Sequence, residues 1–232
     1  MKNLKFILLI LFVSFHALGQ DINQFDSNGK RHGIWKKNFD DTDALRYEGA
    51  FNHDKEVGLF KFYENINGKS VLAATKQFND ANNLAEVKFF APSGKIISEG
   101  TMDGRVYIGT WKYYQKTNNE LLILEHFDAK GNLEGERFVY YPNGQISEKQ
   151  FYKDGKLDGL VVGYSADGKI IMESHYKLGE LHGVHKNYFL NGELEISGQY
   201  KNGIKEGVWY FYDKDKTVQE KDFSNPKLKS NE

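Results

Sequence analysis

"YKNGIKEGVWYFY" (residues 200–212) packs a tyrosine, an Asn-Gly pair, a second glycine and four closing aromatics into one short stretch. Its meaning depends on recurrence. "YKDGKLDGLVVGY" starts at Tyr152 and "YKLGELHGVHKNY" at Tyr176, so the pattern returns every 24 residues without insertion. A fixed period of that length marks an array of supersecondary units. With the second glycine as reference, Gly33, Gly58, Gly109, Gly135, Gly159, Gly183 and Gly207 fill one slot and Ala85 the missing one. Five residues further on stand Asn38, Tyr63, Phe90, Tyr114, Tyr140, Tyr164, Tyr188 and Tyr212. The array therefore runs from Gly29 to Phe223, loosened by insertions such as "DDTDAL" (40–45) and "QKTNNEL" (115–121).

A second turn sits midway in each unit: "PNGQ" (142–145), "ADGK" (166–169), "LNGE" (190–193) and, more loosely, "PSGK" (92–95). Nine Asn-Gly or Asp-Gly pairs occur in the chain, residues that accept positive φ at low cost and close two-residue hairpins. The segments between turns, such as "KIIMESHY" and "ELEISGQY", are rich in β-branched and aromatic residues. The expected fold is all-β: an elongated single-layer antiparallel meander of about eight β-hairpin repeats, some sixteen strands in all. With two-residue midway loops, Tyr188 would face Glu195 and Phe189 would face Leu194. Val184 and Tyr188 would share one face, with Gly183, His185 and Phe189 on the other. Tyr63, Phe90, Tyr114, Tyr140, Tyr164, Tyr188 and Tyr212 would then form a stripe, the candidate partner-binding surface.

Composition agrees with a thin architecture. The 232 residues include 23 glycines, 17 Phe, 14 Tyr and 3 Trp, and a mean hydropathy of -0.62 is low for a thick core. The chain holds no cysteine, so packing and hydrogen bonds alone must stabilise it. A formal net charge of -1 gives no reason to expect nucleic acid as a partner. At the N-terminus, Lys2 and Lys5 precede an apolar run from Phe6 to Phe15 and a small-residue site at Ala17-Leu18-Gly19. That is the pattern of a cleaved export signal, and the run is too short to span a bilayer. The organisation expected is a signal peptide (1–19), an N-terminal lead (20–28), the array (29–223) and a polar tail (224–232). Export to the periplasm or beyond, with no integral membrane segment after cleavage, follows from it.

The tyrosine, Asn/Asp-Gly, second glycine and following aromatics of "YKNGIKEGVWYFY" resemble the MORN repeat, specifically its bacterial variant form. The resemblance is good in the three C-terminal units and weakest around Ala85. It implies single-layer hairpin arrays without catalytic residues of their own. It also implies antitoxin-like roles for bacterial members, and scaffold or membrane-proximal adaptor roles for eukaryotic ones.

Candidate chemistry is sparse. His182 and His185 stand three apart, on opposite faces of a strand, and His182 fills a turn-flanking slot held by Asp158 and Glu206 in neighbouring units. Glu48, Glu99, Glu148, Glu173 and Glu220 form an evenly spaced row rather than a catalytic pair, the pattern of cross-strand charge pairing. Asp40, Asp41 and Asp43 lack the glycine and distal glutamate of a calcium loop. "GKLDG" and "GIKEG" are followed by strands, not by the helix a phosphate loop opens. No catalytic, metal or cofactor residue is assigned, and the chain is expected not to be an enzyme. Its expected role is an exported scaffold that binds an unknown protein, a toxin or an envelope component, through its aromatic face. Trp35, Phe60, Trp111 and Trp209 cover the sheet in the same reading. Antitoxin or immunity function, and glycan or cell-wall binding through the stripe, are the alternatives.

Overall fold

The computed structural model describes residues 21–224; residues 1–20, where the export signal is expected, and tail residues 225–232 lie outside the described residues. The N-terminal half runs β1 (Gln24–Phe25), β2 (Arg31–Asn38), β3 (Leu45–Asn52), β4 (Lys55–Ile66), β5 (Lys69–Phe78), β6 (Leu84–Phe90), β7 (Ile96–Asp103), β8 (Val106–Tyr114) and β9 (Leu121–Phe127). The C-terminal half runs β10 (Gly135–Tyr140), β11 (Ile146–Lys153), β12 (Lys156–Leu157), β13 (Gly159–Tyr164), β14 (Ile170–Lys177), β15 (Glu180–Tyr188), β16 (Leu194–Lys201), β17 (Ile204–Tyr212) and β18 (Val218–Asp222). Each pairs antiparallel with its neighbours in the chain, giving one open meander. β12 and β13 are one strand interrupted at Asp158, so β11 pairs with both.

Two turn geometries close the hairpins. Asn202-Gly203 is a two-residue turn with positive φ at both positions (49° and 79°), so Lys201 faces Ile204 in the type I′ arrangement that matches strand twist. Asp154-Gly155, Leu178-Gly179 and Asn67-Gly68 repeat it. The midway turns correct the two-residue expectation: Tyr188 faces Leu194, not Glu195. Only Gly192, at φ 87°, takes positive φ there, so type I′ cannot form. Instead Gly192 N–H donates to Phe189 O and Phe189 N–H to Glu193 O, both at 2.8 Å, a type I turn closed by a glycine bulge. A register shift beside Tyr188 then restores the hairpin body, where Lys186 faces Ser197.

Gly207 (φ 68°) lies inside β17, where Gln199 faces Glu206 but Ser197 faces Tyr210, so Gly198 alone spans the stretch from Gly207 to Trp209. β3–β4 and β7–β8 shift in the same way at Gly58 and Gly109. Where Ala85 stands, the β5–β6 register runs unbroken.

That bulge builds the core. Two residues past each reference position stand Trp35, Phe60, Val87, Trp111, Arg137, Val161, His185 and Trp209, all on one face. Phe60, Trp111 and Trp209 lie flat on a glycine of the preceding strand. A Cβ at Gly49, Gly100 or Gly198 would fall 2.4, 2.4 or 2.2 Å from those rings. The indole N–H groups bind backbone carbonyls beside the bulge, Trp111 to Thr101 O (3.0 Å) and Trp209 to Gln199 O (3.2 Å). Neighbouring rings meet edge to face, as in Trp35–Phe51, Phe51–Phe60 and Tyr200–Trp209. Phe60, Val87, Trp111, Val161 and Trp209 are buried in a sheet with no second layer. This is the tryptophan face.

Candidate functional site: the tyrosine face

Strand alternation sends the expected stripe to the opposite side from the tryptophans. Each stripe residue stands across from an aliphatic side chain: Tyr63 faces Leu72, Phe90 Ile96, Tyr114 Leu121, Tyr140 Ile146, Tyr164 Ile170, Tyr188 Leu194 and Tyr212 Val218; all but Tyr63 form the last pair before the turn, and β4–β5 continues past Tyr63 to Ile66 and Lys69. The seven side chains thus line up as a row on one face, each five residues past its reference position. The aliphatic partners recur with the same period and could have been found by aligning the units on their midway turns.

Three stripe tyrosines are tied to the glutamate row. Tyr63 donates to Glu48 (2.9 Å), Tyr114 to Glu99 (2.5 Å) and Tyr188 to Glu173 (2.5 Å). Lysines flank the carboxylates: Lys36 and Lys61 lie 3.4 and 3.2 Å from Glu48, and Lys88 lies 3.3 Å from Glu99. Burial, and then the carboxylate each one faces, push the Tyr63, Tyr114 and Tyr188 hydroxyls up to about 12. Burial alone raises Tyr140. For Glu99 the Tyr114 hydrogen bond is the largest cause of a lowered pKa. Burial opposes the lowering at Glu48, but Tyr63, Lys61 and Lys36 outweigh it. Glu148 departs from the row: it pairs with Val139 and so faces the tryptophan side.

The core row has two polar interruptions. Arg137 reaches Glu125 (2.9 Å) and Gln150 (2.9 Å), an ion pair set among half-buried neighbours. His185 takes the ring position and Ser174 the glycine position of a clasp, with Ser174 Oγ 2.7 Å from His185 Nδ1. Burial, then Lys205, lowers the His185 pKa. His182 lies against Asn202 Oδ1 (3.2 Å) and His175 against Val184 O (3.2 Å), so the three C-terminal histidines serve separate local contacts. Among the described residues no group of His, Asp or Glu is placed to hold a metal ion.

The fold and its periodic faces define a β-hairpin repeat protein, an array in which neighbouring units supply one another's partners. The MORN repeat variant matches three consecutive stretches, residues 133–154, 157–178 and 181–202, and these units are MORN-variant repeats. No curated protein matches the chain. Among solved structures, the crystal structure of a mutant of S. aureus TarM in complex with Fondaparinux, alpha-GlcNAc-glycerol and UDP is similar over 44% of this chain at 13% identity, with a TM-score of 0.32. The matched part spans 19% of that chain, and a likeness this slight carries no argument.

Proposed function

We propose that this chain is an exported, non-enzymatic interaction scaffold that presents its tyrosine face to a protein of the cell envelope. One observation carries the reading. Hydrogen bonds fix Tyr63, Tyr114 and Tyr188 to Glu48, Glu99 and Glu173, so three rungs of the row, in the second, fourth and seventh units, are ordered in the free sheet. A surface ordered before binding loses less side-chain freedom on association. Tyrosine, with an apolar ring and a hydroxyl, suits a half-wet interface.

The test has two arms. Fractionation of cells is expected to place the chain, shortened by its leader, in the envelope or medium; uncleaved protein confined to the cytosol overturns export. Crosslinking in the envelope is expected to recover one discrete partner, lost on Tyr164→Ala with Tyr188→Ala. Recovery unchanged by that double substitution overturns the tyrosine face as the contact.

A further inference from the structure

We propose that the outer edge of β2 accepts an extended strand of a partner protein, antiparallel to β2, with a glycine beneath Trp35. The inference rests on the scaffold reading above and adds a second contact and the chemistry of the strand that makes it. The array itself shows what covers such an edge. Each later member of the core row lies against the strand before it, and the residue beneath it follows its size. Phe60, Trp111 and Trp209 lie on Gly49, Gly100 and Gly198. Val87, Arg137, Val161 and His185 meet Lys76, Glu125, Gln150 and Ser174 at the same position. Every phenyl or indole ring among these seven therefore has a glycine under it, and every other residue has a side chain. Trp35 breaks the rule. Gln24 faces His32 as Gln199 faces Glu206, which puts Asn23 where the glycine would stand.

The lead fills that edge only in part. Gln24 O accepts the Trp35 indole N–H (3.1 Å) and Phe25 meets the indole edge to face, as Gln199 and Tyr200 do for Trp209. There the imitation ends. Asn23 takes φ 59°, a backbone that side chains rarely adopt, and its Oδ1 accepts the Lys36 N–H (2.8 Å) in place of a strand. Ser197 and Ile196 go on to pair with Tyr210 and Phe211 of β17, but no counterpart faces Lys36 and Lys37 among the described residues. Residues 21–25 are all exposed, and Trp35 stays half-buried where Trp111 and Trp209 are 0% and 1% exposed. A strand with glycine in Asn23's place would bury the indole, relieve that backbone and carry the ladder past Lys36. Lys36 also selects the residue before the glycine: Glu48, ahead of Gly49, lies 3.2 Å from Lys61, the equivalent of Lys36 in the next unit. The strand is thus Glu-Gly-x-aromatic, the pattern of Glu48-Gly49-Ala50-Phe51. A second copy does not offer it at its free end, because β18 carries Lys221 at the glycine position, opposite Trp209.

The experiment titrates the leaderless chain with a labelled synthetic peptide of residues 45–52, "LRYEGAFN", and with its Gly49→Leu twin. Fluorescence anisotropy is expected to show saturable binding of the peptide, at least tenfold weaker for the twin. Lys36→Pro in the protein should weaken it at least tenfold. The Lys36 N–H points away from β3, so proline there removes a donor of the outer edge and leaves the β2–β3 ladder in place. Removing residues 21–25, which the strand displaces, should tighten binding several-fold. The twin peptide tests the glycine without altering the protein, so the result does not depend on how either variant folds. Absence of saturable binding, equal binding of peptide and twin, or binding indifferent to Lys36→Pro overturns the proposal. Weaker binding after removal of residues 21–25 overturns it too. Dimerisation of that shortened chain without peptide binding, read by sedimentation, overturns it in favour of a second copy. Peptide binding that fails while partner recovery still falls with Tyr164→Ala and Tyr188→Ala overturns the edge site and leaves the scaffold reading standing.

Discussion

Gly198 and Gly207 stand nine residues apart and are needed for opposite reasons. Gly207 has nothing within 4 Å of where a Cβ would sit but holds φ at 68°, so Gly207→Ala costs only the left-handed backbone, about 1 kcal/mol. Gly198 lies under an indole, and a Cβ there would be 2.2 Å from the ring. Gly198→Ala must displace Trp209 and is expected to cost about 3 kcal/mol, with a red-shifted Trp209 emission that Gly207→Ala lacks. Denaturant melts of the two variants measure the difference. The tyrosines make a second prediction at this scale. Tyr63, Tyr114 and Tyr188 titrate near 12 in the fold against about 10 unfolded. Their raised values contribute stability that is complete below pH 10 and is lost as pH climbs through 12. Absorbance at 295 nm should resolve a late-titrating class that Glu48→Gln, Glu99→Gln and Glu173→Gln together reduce.

At the level of the hairpin, much was legible from spacing and some was not. The Asn-Gly and Asp-Gly signals located most of the turns, but one dipeptide serves two geometries. Asn202-Gly203 forms a type I′ turn, while Asn191-Gly192 closes a type I turn with a bulge. The length of chain between the last paired residues decides between them, 202–203 in one and 189–193 in the other, and a dipeptide does not encode that. The stripe was legible because position five past the glycine is almost always aromatic. The core row two past the glycine was harder to see, since Val87, Arg137, Val161 and His185 vary its chemistry. The paired glycine beneath each ring has no meaning until the bulge brings it there. Ser174 and His185 show what happens when both halves of the clasp change together. Ser174→Gly with His185→Trp should rebuild the indole clasp and raise Tm, whereas His185→Trp alone should lower it against the serine side chain. The histidine also sets a pH dependence. Its folded pKa is lowered by burial and by Lys205, so the unfolded chain takes up the proton first as pH falls below about 6.5. Stability of the wild type should therefore drop between pH 7 and pH 5, and thermal melts of the Ser174→Gly, His185→Trp protein should lose that part of the drop.

Across the whole sheet, stability comes from contacts between adjacent units, and both edges supply them. On the short-turn side Gly155, Gly179 and Gly203 N–H donate to Leu133, Leu157 and Leu181 O of the preceding unit. On the other side Tyr141 Oη donates to Tyr164 O (2.8 Å) and Lys169 Nζ to Leu190 O (2.9 Å). Such coupling makes the unit of two strands the quantity that must be conserved. Removing residues 157–180 deletes one full period. It joins Lys156 to Leu181, which takes the place of Leu157, with every remaining turn on its original edge and every side chain on its original face. Removing twelve residues deletes about one strand, so the chain re-enters from the wrong edge and the tryptophan row of the later units loses its continuation. The 24-residue deletion is expected to give a folded protein with a sharp melt and slightly lower Tm, because one neighbour interface is lost. The 12-residue deletion of 165–176 should give a broad melt and a Trp209 exposed to quencher. Circular dichroism with iodide quenching checks both, and equal behaviour of the two deletions would show that stability resides in something other than the two-strand period.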